Sequence, residues 1–297
     1  MKILIIGSKG FIGFHAMEYF KKQNFTVVGC DVITDYTSKD YYQIDATNSD
    51  YHALFEKHSF DACINCSGAA SVPLSLEFPM KDFNLNTVNV FKILEAIRTY
   101  QPKCKFVNLS SAAVYGNPTQ LPISENIALQ PLSPYGIHKL QAEQIGKEFH
   151  DFYSIPTCSL RIFSAYGNGL KKQLFWDLYQ KILNSDSIEL YGTGKESRDF
   201  IHVDDIVKAI HLVLEKATFT GEVINIANGE EFTIEYVSEL FRRNFKAQKS
   251  IRFNNHVKQG DPLNWRADIS KLQSIGYQQT VSLEEGIQRY IDWINTL

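Results

Sequence analysis

A glycine-rich loop directly after the first apolar segment constrains the fold of this chain more than any other feature. The apolar run Lys2–Ile6 is too short for a helix and reads as a strand, and a stretch of helical period follows at Phe14–Lys21. Glycines between them would permit a tight turn, let backbone amides approach a pyrophosphate and let the helix pack closely on the strand. The loop therefore predicts a dinucleotide-binding unit, with cofactor contacts from Gly7, Gly10, Phe11, Ile12 and Gly13.

An acidic residue after the second predicted strand indicates which dinucleotide binds. Asp31 follows the strand-like run Thr26–Cys30. A carboxylate at this point can accept hydrogen bonds from both ribose hydroxyls and would repel a 2′-phosphate, which favours NAD over NADP. An ordinary strand-end turn is the alternative for Asp31. Further on, Asp45 and Ala46 are predicted to meet the adenine edge, although a surface turn explains Asp45 nearly as well.

Short apolar runs alternate with longer segments of helical period through the first half of the chain. The further strand-like runs are Ala62–Cys66, Lys105–Leu109 and Thr157–Ile162. Long helices are predicted over Pro79–Tyr100 and Tyr135–Tyr153. This alternation predicts an α/β fold, in which a Rossmann-type doubly wound parallel sheet carries a smaller C-terminal α/β domain that binds substrate.

The alternation becomes less regular after about Tyr166, and the predicted domain boundaries follow from that change. The later elements are predicted as helices near Lys171–Leu183, over Val203–Glu215 and over Ser282–Trp293, with a strand over Val223–Ala227. We assign residues 1–165 and 199–228 to the sheet domain, and residues 166–198 and 229–297 to the smaller domain.

Composition and charge exclude several classes of protein. A chain of 297 residues with 44% apolar and 21% charged residues can form a full core. The net charge of −3 without long basic runs argues against nucleic acid as a partner. Five cysteines have no framework spacing, and Cys63 and Cys66 would lie on opposite faces of a strand, so we predict no metal site. The first apolar run stops at Gly7, too short for a signal peptide or a membrane span, which predicts a cytoplasmic protein without a membrane partner.

A tyrosine and a lysine stand four residues apart at the start of the second long helix. Tyr135 and Lys139 would share one helix face, and a cation about 5 Å from a phenol, at an effective dielectric of about 20, favours the phenolate by roughly 3 kcal/mol. Such a pair is common on helix surfaces. The strand-end segment Leu109–Gly116 adds a hydroxyl donor at the edge where ligands bind in open α/β sheets.

At this point the sequence resembles the extended short-chain dehydrogenase/reductase family, in particular its nucleotide-sugar epimerases and dehydratases. The motifs that carry the resemblance are the glycine loop, Ser110–Gly116, Tyr135 with Lys139, Leu160–Gly167, Arg198–Asp205 and Gly260-Asp261-Pro262. The resemblance implies that Ser111, Tyr135 and Lys139 are catalytic, and that Tyr135 and Lys139 also contact the cofactor. It implies as well that Arg198 binds the substrate diphosphate, a task suited to the planar fork of arginine.

Further substrate contacts are expected from residues near these motifs. They are Ser71, Ser164, Tyr191 and Lys258. Ser164 replaces an asparagine that the family uses near the diphosphate, and Lys258 stands where many relatives have a second arginine. Tyr191 could stack on the base or belong to the core.

Departures from the family pattern bear on the reaction. The dehydratases carry an Asp-Glu pair directly after the catalytic Ser or Thr, because elimination of water needs an added acid and base; here these positions are Ala112 and Ala113. Dehydration is therefore disfavoured. Near the cofactor, Asn65 replaces the usual histidine and Ser67-Gly68 the usual pair of alanines.

These observations lead to one functional hypothesis and two alternatives. We expect an NAD-dependent epimerase that inverts C4 of a nucleoside-diphosphate sugar, most commonly a UDP-sugar, through a 4-keto intermediate. A reductase of nucleotide 4-keto sugars would need the same three residues, and a non-catalytic cofactor-sensing or scaffold protein would keep only the fold. A homodimer formed by the two long helices is expected by resemblance, although their apolar stripes fit equally well with burial inside one chain.

Overall fold

A seven-stranded parallel sheet organises the computed structural model, which describes residues 1–256, 260 and 262–297. The strands are β1 (Lys2–Ile6), β2 (Thr26–Asp31), β3 (Tyr41–Gln43), β4 (Ala62–Asn65), β5 (Lys105–Ser111), β6 (Thr157–Ile162), β7 (Ser164–Tyr166), β8 (Ile188–Leu190), β9 (Ser197–Arg198), β10 (Phe200–His202), β11 (Thr220–Ile226), β12 (Phe232–Thr233) and β13 (Ile251–Phe253).

Helices cover both faces of this sheet and build the smaller part of the molecule. They are α1 (Phe11–Lys22), α2 (His52–Lys57), α3 (Val72–Glu77), α4 (Pro79–Phe83), α5 (Asn89–Tyr100), α6 (Pro134–Tyr153), α7 (Gln173–Asn184), α8 (Val203–Lys216), α9 (Ile234–Asn244), α10 (Ser270–Ser274) and α11 (Leu283–Ile294).

The strand order of the main sheet is β11-β6-β5-β4-β1-β2-β3, and every pairing within it is parallel. The chain winds outward from β1 through β2 to β3, then crosses back to β4 and winds in the other direction. The reversal lies between β1 and β4, where ligands bind beyond the carboxyl ends of the strands. The predicted doubly wound parallel sheet is thus confirmed.

Two apolar clusters hold the sheet, one on each face. One cluster packs α1 and α8 on the sheet through residues such as Phe20 and Ile206. The other packs α2, α5 and α6, and includes Ile93 and Phe149. Cys63 belongs to the second cluster and Cys66 packs against the first, so the two thiols face opposite sides, as the strand period predicts.

The helix predicted over Pro79–Tyr100 contains one irregularity. It runs as α4, a π-helical turn at Asn84–Val88, and α5. The wider turn brings the buried Asn86 side chain toward the sheet edge, where its Nδ2 donates to Asp82 Oδ1 at 3.0 Å and to the Ala69 carbonyl at 3.1 Å. Turns of this kind recur at functional sites.

The smaller part of the molecule combines short paired strands with three helices. Helices α7, α9 and α11 enclose an aromatic core in which Phe175, Phe241 and Tyr290 make ring contacts. Ser282 caps the last helix, because its Oγ accepts from the Glu285 amide at 3.2 Å. The exact domain boundaries stay a prediction.

Candidate active site

The glycine loop after β1 contains two positions that favour glycine, one for its backbone conformation and one for lack of space. Gly7 has a φ of +79°, a left-handed conformation that favours glycine. A Cβ atom on Gly13 would lie only 2.1 Å from the Gly7 carbonyl oxygen, so any side chain there would push α1 off the loop. Phe11, Ile12 and Gly13 form the first turn of α1. The backbone amides at this end of α1 suit a pyrophosphate.

A cavity of about 910 Å³ opens beside this loop, at the reversal of strand order. Among the residues that line it are Gly7, Gly10, Asp31, Ala46 and Gly68. The volume and the loop fit a dinucleotide with its adenosine end near Asp31. Asp45 is not among the lining residues that the structure describes. Its Oδ1 accepts from the Thr47 and Asn48 amides of its own loop, so the structure favours the surface turn for Asp45.

Two acidic side chains, Asp31 and Asp35, lie at the glycine-loop side of the cavity. Asp31 Oδ2 accepts from the Lys9 amide at 2.8 Å, and Asp31 Oδ1 accepts from the Val32 amide at 2.7 Å. The Lys9 ammonium group is paired with Asp35. A 2′-phosphate would therefore meet Asp31 and an already neutralised lysine, which supports NAD over NADP.

Ser111, Tyr135 and Lys139 are brought together by the end of β5 and the first two turns of α6. Ser133 caps α6 by accepting from the Gly136 amide at 3.2 Å, which fixes where the helix starts and directs Tyr135 toward β5. The Ser111 side chain hydrogen-bonds the Tyr135 phenol. Lys139 Nζ lies 6.0 Å from the centre of the Tyr135 ring and donates to the Leu109 carbonyl at 2.8 Å.

These three residues adjoin the cofactor cavity. Gly68 lines the cavity, and a Cβ atom on Gly68 would lie 3.4 Å from Lys139 Nζ. Tyr135 and Lys139 are 8% and 6% exposed, so both act where water is largely excluded. A sugar held over Tyr135 would meet a nicotinamide placed in this cavity.

Burial has a larger effect on the pKa values of Tyr135 and Lys139 than the neighbouring charges have. Burial raises the pKa of Tyr135 to about 12, and the hydrogen bond from Ser111 offsets only part of this rise. Burial also lowers the pKa of Lys139 to about 8, against the opposing influence of Asp82. The expectation that Lys139 depresses the pKa of Tyr135 is therefore wrong for these residues alone, because desolvation disfavours both charged forms.

A buried network supports the catalytic residues from behind. Glu143, one turn after Lys139, accepts from Arg161 Nη2 at 2.7 Å and from Ser110 Oγ. Arg161 also donates to the Tyr115 hydroxyl at 2.9 Å. The network joins α6, β5 and β6, and so it fixes the strand end that carries Ser111 against the helix that carries Tyr135.

The departures near the cofactor form a network of their own. Asn65 is buried, and its Nδ2 donates to Asn108 Oδ1 at 3.1 Å. Its Oδ1 accepts from Ser67 Oγ at 2.5 Å. Asn65 therefore orders the loop after β4. The sequence shows that Asn65 departs from the family pattern, but only the structure shows this role.

The predicted substrate contacts lie on several separate segments. Ser71 Oγ accepts from the Leu74 amide and caps α3. Ser164 lies in β7 beside the Arg198 motif, since its amide donates to the Asp199 carbonyl at 3.0 Å. Arg198 donates to the Leu263 carbonyl at 3.2 Å and lies 5.6 Å from the Trp265 ring. Tyr191 is 52% exposed and so is not a core residue. Lys258 lies outside the described residues.

Two polar groups close to the site escape the motif-based predictions. His138 Nδ1 lies 2.6 Å from Asp82 Oδ2, and this pair is largely buried beside Lys139. Lys172 Nζ donates to the Ala70 carbonyl at 3.3 Å, although the two residues are far apart in sequence. A basic residue at position 172 carries no signal in a single sequence, because the fold alone brings it to the loop after β4.

Two classes of feature are absent from the part of the chain that the structure describes. None of its helices is both long and apolar enough to cross a membrane. No group of three or more His, Cys, Asp or Glu side chains in residues 1–256, 260 and 262–297 could hold a metal ion.

Comparison with known proteins gives consistent matches. Residues 3–227 match the model of the NAD dependent epimerase/dehydratase family. A putative UDP-glucose 4-epimerase from Methanocaldococcus jannaschii is 28% identical over 98% of both chains. A UDP-glucuronate 4-epimerase from Thermodesulfobacterium geofontis is 28% identical over 98% of this chain and 95% of its own. The crystal structure of UDP-glucuronic acid 4-epimerase from Bacillus cereus, in complex with UDP-glucuronic acid and NAD, superposes with a TM-score of 0.89 at 28% identity, covering 100% of this chain and 99% of that one.

Proposed function

Because this chain belongs to the NAD dependent epimerase/dehydratase family, we propose that it is an NAD-dependent 4-epimerase of a nucleoside-diphosphate sugar. The observation that carries the proposal is the meeting of Ser111, Tyr135 and Lys139 beside a cavity that fits a dinucleotide. Fold alone would not support an activity, but these residue types in this geometry do.

The glycine loop and the Asp31 end of the cavity would hold the cofactor. The amides of the loop and of the first turn of α1 would bind the pyrophosphate, and Asp31 would accept from the ribose hydroxyls. Lys139 would bind the nicotinamide ribose with the donors that it does not use on Leu109. NAD, when bound, would supply a hydride acceptor and a positively charged ring that favours the Tyr135 phenolate.

Proton transfer at the sugar falls to Tyr135 and Ser111. The phenolate oxygen of Tyr135 would accept the proton of the 4-hydroxyl group as C4 is oxidised. Ser111 Oγ would donate to the same sugar oxygen and keep it in line with Tyr135. Once the 4-keto sugar had turned in the site, Tyr135 would return the proton as C4 is reduced on its opposite face. The same hydride would be taken up and given back, so the reaction would consume no NAD.

The residues after Ser111 separate this reaction from dehydration. Ala112 and Ala113 form a 3₁₀ turn, and Ala112 is fully buried, so neither position offers an acid or a base to the sugar. Elimination of water from C5 and C6 would need such groups. This chain is therefore suited to oxidation and reduction at C4 without elimination.

The carrier is most simply a uridine diphosphate. The relatives described above are named for UDP-glucose or UDP-glucuronate, and the arrangement here includes Arg198 for a diphosphate. Tyr191, which is 52% exposed beside the turn at Gly192, is the aromatic side chain that we propose to stack on the base.

Proton NMR tests the proposal directly. The purified protein is incubated with NAD and, in separate tubes, UDP-glucose, UDP-glucuronate and UDP-N-acetylglucosamine, and the couplings of the proton on C4 are followed. Appearance of the C4 epimer without accumulation of NADH supports the proposal. Stoichiometric NADH formation, or reduction of a 4-keto sugar without return, would favour the reductase instead. Binding of NAD with no turnover of any sugar would favour the non-catalytic alternative.

We further propose that the protein is a cytoplasmic homodimer. The exposed apolar surface of two helices supports the dimer. Helices α5 and α6 bury one side against the sheet, yet Phe91, Ile137 and Phe152 remain 44%, 44% and 79% exposed on their other side. Apolar side chains gathered on two adjacent helices are typical of an interface. Sedimentation at micromolar concentration should show a dimer, and a monomer would refute this assignment. Fractionation of the source cells would test the cytoplasmic location.

A further inference from the structure

A buried pair of side chains, Asp82 of α4 and His138 of α6, lies beside Lys139 and takes no part in the proposed proton transfer. The two side chains are 2% and 12% exposed, and Asp82 Oδ2 lies 2.6 Å from His138 Nδ1. His138 immediately precedes Lys139, and α4 packs on α6 at this point. Met80, also in α4, lines the cofactor cavity. The pair therefore joins the helix that carries Lys139 to a helix at the edge of this cavity.

Two hydrogen bonds fix the position of the Asp82 carboxylate. Asn86 Nδ2, in the π-helical turn, donates to Asp82 Oδ1 at 3.0 Å. His138 Nδ1 serves the other oxygen, and a neutral imidazole with its proton on Nδ1 can donate there. With a neutral His138 the pair carries one net negative charge. This charge is held inside the protein with a donor on each carboxylate oxygen.

The Asn86 side chain leads from this carboxylate to the ammonium group of Lys139. A Cβ atom on Gly68 would lie 2.5 Å from Asn86 Oδ1 and 3.4 Å from Lys139 Nζ, so both atoms border the same small space. Within the described residues, Asn86 Oδ1 is buried and has no hydrogen-bond partner. The amide thus turns its donor end to Asp82 and its acceptor end to the space that it shares with Lys139.

The charge of Asp82 acts on both titratable groups of the proposed reaction. Burial lowers the pKa of Lys139 to about 8, and Asp82 is the charge that most opposes this fall, ahead of Cys66 and Glu143. Burial raises the pKa of Tyr135 to about 12, and Asp82 adds to that rise. Removal of the Asp82 charge would therefore lower both pKa values.

The other charged groups around Asp82 are exposed or already paired. On α3 and α4 they are Glu77 and Lys81, both exposed to solvent. The next carboxylate along α6, Glu143, is paired with Arg161. Water and salt weaken the effect of exposed charges much more than that of buried ones. Asp82 can therefore act on the catalytic lysine largely unscreened.

We propose that Asp82 is a positioning residue of the reaction, whose fixed carboxylate keeps Lys139 charged beside the cofactor. This inference rests on the proposed 4-epimerase function and adds a residue to its site. A charged Lys139 has three donors and uses one on a backbone carbonyl, which leaves two for a nicotinamide ribose. A neutral amine would lose one donor and would no longer favour the Tyr135 phenolate. Asp82 would thus set the pH range in which the site works without touching the reacting atoms.

Asp82→Asn and the control Glu77→Gln test this assignment in the full-length protein. The kcat for a UDP-sugar that the wild type converts is followed by NMR with saturating NAD, from about pH 6 to about pH 10. Because the pKa values of Lys139 and Tyr135 both fall in Asp82→Asn, both limbs of its profile should move to lower pH by about one unit. Glu77→Gln removes an exposed carboxylate and should leave the profile in place.

His138→Asn tests how the pair carries its charge. The new amide can donate to Asp82 but cannot take up a proton, so the kcat profile should keep the position of the wild-type profile. A shift of this profile in either direction would show that the charge of the pair does not reside on Asp82 alone, and would overturn the proposal.

Urea unfolding gives a readout that needs neither sugar nor cofactor. In the wild type, the free energy of unfolding should begin to rise with pH near about pH 8, where Lys139 releases its proton in the folded protein. In Asp82→Asn this rise should begin about one unit lower. In a Lys139→Met background, the same substitution should leave the pH dependence over this range unchanged.

Other results would overturn the inference. A kcat profile of Asp82→Asn that falls in height without moving along the pH axis would refute it and leave the epimerase function intact. If the wild type converts no UDP-sugar, but Asp82→Asn moves the unfolding profile only when Lys139 is present, the effect of Asp82 on Lys139 stands and the epimerase function falls. If Asp82→Asn does not fold, Asp82→Ser carries the same predictions. Failure of both variants to fold would show that Asp82 serves the fold, and would also overturn the proposal.

Discussion

The two walls of the site are built differently. The proposed catalytic wall, which comprises Ser111, Tyr135 and Lys139, stands on one strand end and one helix and is backed by the buried Glu143 network. The proposed substrate wall, which comprises Tyr191 and Arg198, comes from two separate segments, the turn after β8 and strand β9, and Tyr191 is 52% exposed. We therefore expect chemistry from regular elements held from behind, and recognition from long side chains on short segments.

This difference implies different consequences of substitution. A change on the catalytic wall alters turnover or the stability of a buried cluster. A change on the substrate wall should alter affinity with little cost to the fold, because Tyr191 is half-exposed and Arg198 is only partly buried in the two-residue strand β9. Substitutions on the two walls should therefore differ in both the kind and the size of their effects.

The largest loss of turnover is expected when Tyr135 is replaced. Tyr135→Phe removes the acid–base group and should lower kcat by roughly 10³-fold or more while leaving UDP-sugar binding within about threefold. Turnover is read by NMR and binding by calorimetry. Tyr153→Phe, at the exposed end of the same helix, is the control and should behave as wild type. Retained activity in Tyr135→Phe would refute the mechanism.

The support behind the catalytic wall should be the most costly part to disturb. Glu143→Gln leaves the Arg161 guanidinium buried without its counter-charge and should lower the free energy of unfolding by about 3–5 kcal/mol in urea titration. Glu148→Gln, exposed on the same helix, should change it by less than about 0.5 kcal/mol. Addition of Arg161→Met to the Glu143→Gln variant should recover part of the loss. Equal stability of the two single variants would show that the network is not structural.

The buried charge of Lys139 should lower the free energy of unfolding of the protein. The pKa of Lys139 is lowered from 10.5 to about 8 in the folded protein, so between these values the unfolded chain binds more protons and stability rises with pH. Below about pH 8 the cost of the buried charge is present in full. Lys139→Met should therefore raise the free energy of unfolding near pH 7 by ~1–3 kcal/mol and raise it less near pH 10.

The measurement for Lys139→Met is urea unfolding at the two pH values. Lys147→Met, whose charge is exposed on the same helix, is the control and should show no such pH-dependent gain. A destabilised Lys139→Met at pH 7 would mean that the hydrogen bond to the Leu109 carbonyl outweighs the desolvation of the charge.

The smallest effect is expected on the substrate wall. Arg198→Lys keeps the charge but removes the planar fork, and should raise KM for a UDP-sugar about tenfold with kcat nearly unchanged. Inhibition by UDP should weaken to the same extent, whereas inhibition by uridine should not. Equal weakening with uridine would place Arg198 at the base and not at the diphosphate.

Particular residues show how far sequence reasoning reached. The glycine loop, Asp31, and the pair of Tyr135 and Lys139 were predictable because each depends on spacing within one strand–turn–helix unit. The role of Asp45 was harder to predict, because an acidic residue in a surface turn and one that contacts a ligand have the same sequence signal. The hydrogen bonds from the Thr47 and Asn48 amides distinguish them. The shift in the pKa of Tyr135 was predicted in the wrong direction, because a sequence shows neighbouring charges but not the depth of burial.

The sequence by itself determined the doubly wound sheet and the position of the glycine loop, because strand and helix periods and local turns are properties of adjacent residues. The catalytic roles of Ser111, Tyr135 and Lys139 stay a prediction that the family resemblance implies. Only the tertiary structure decided which distant groups meet. The hydrogen bond from Asn86 to the Ala69 carbonyl, the ion pair of Glu143 with Arg161 and the hydrogen bond from Lys172 to the Ala70 carbonyl each join different elements of the chain. Their contacts depend on packing and desolvation, which act through space and leave no periodic trace in a single sequence.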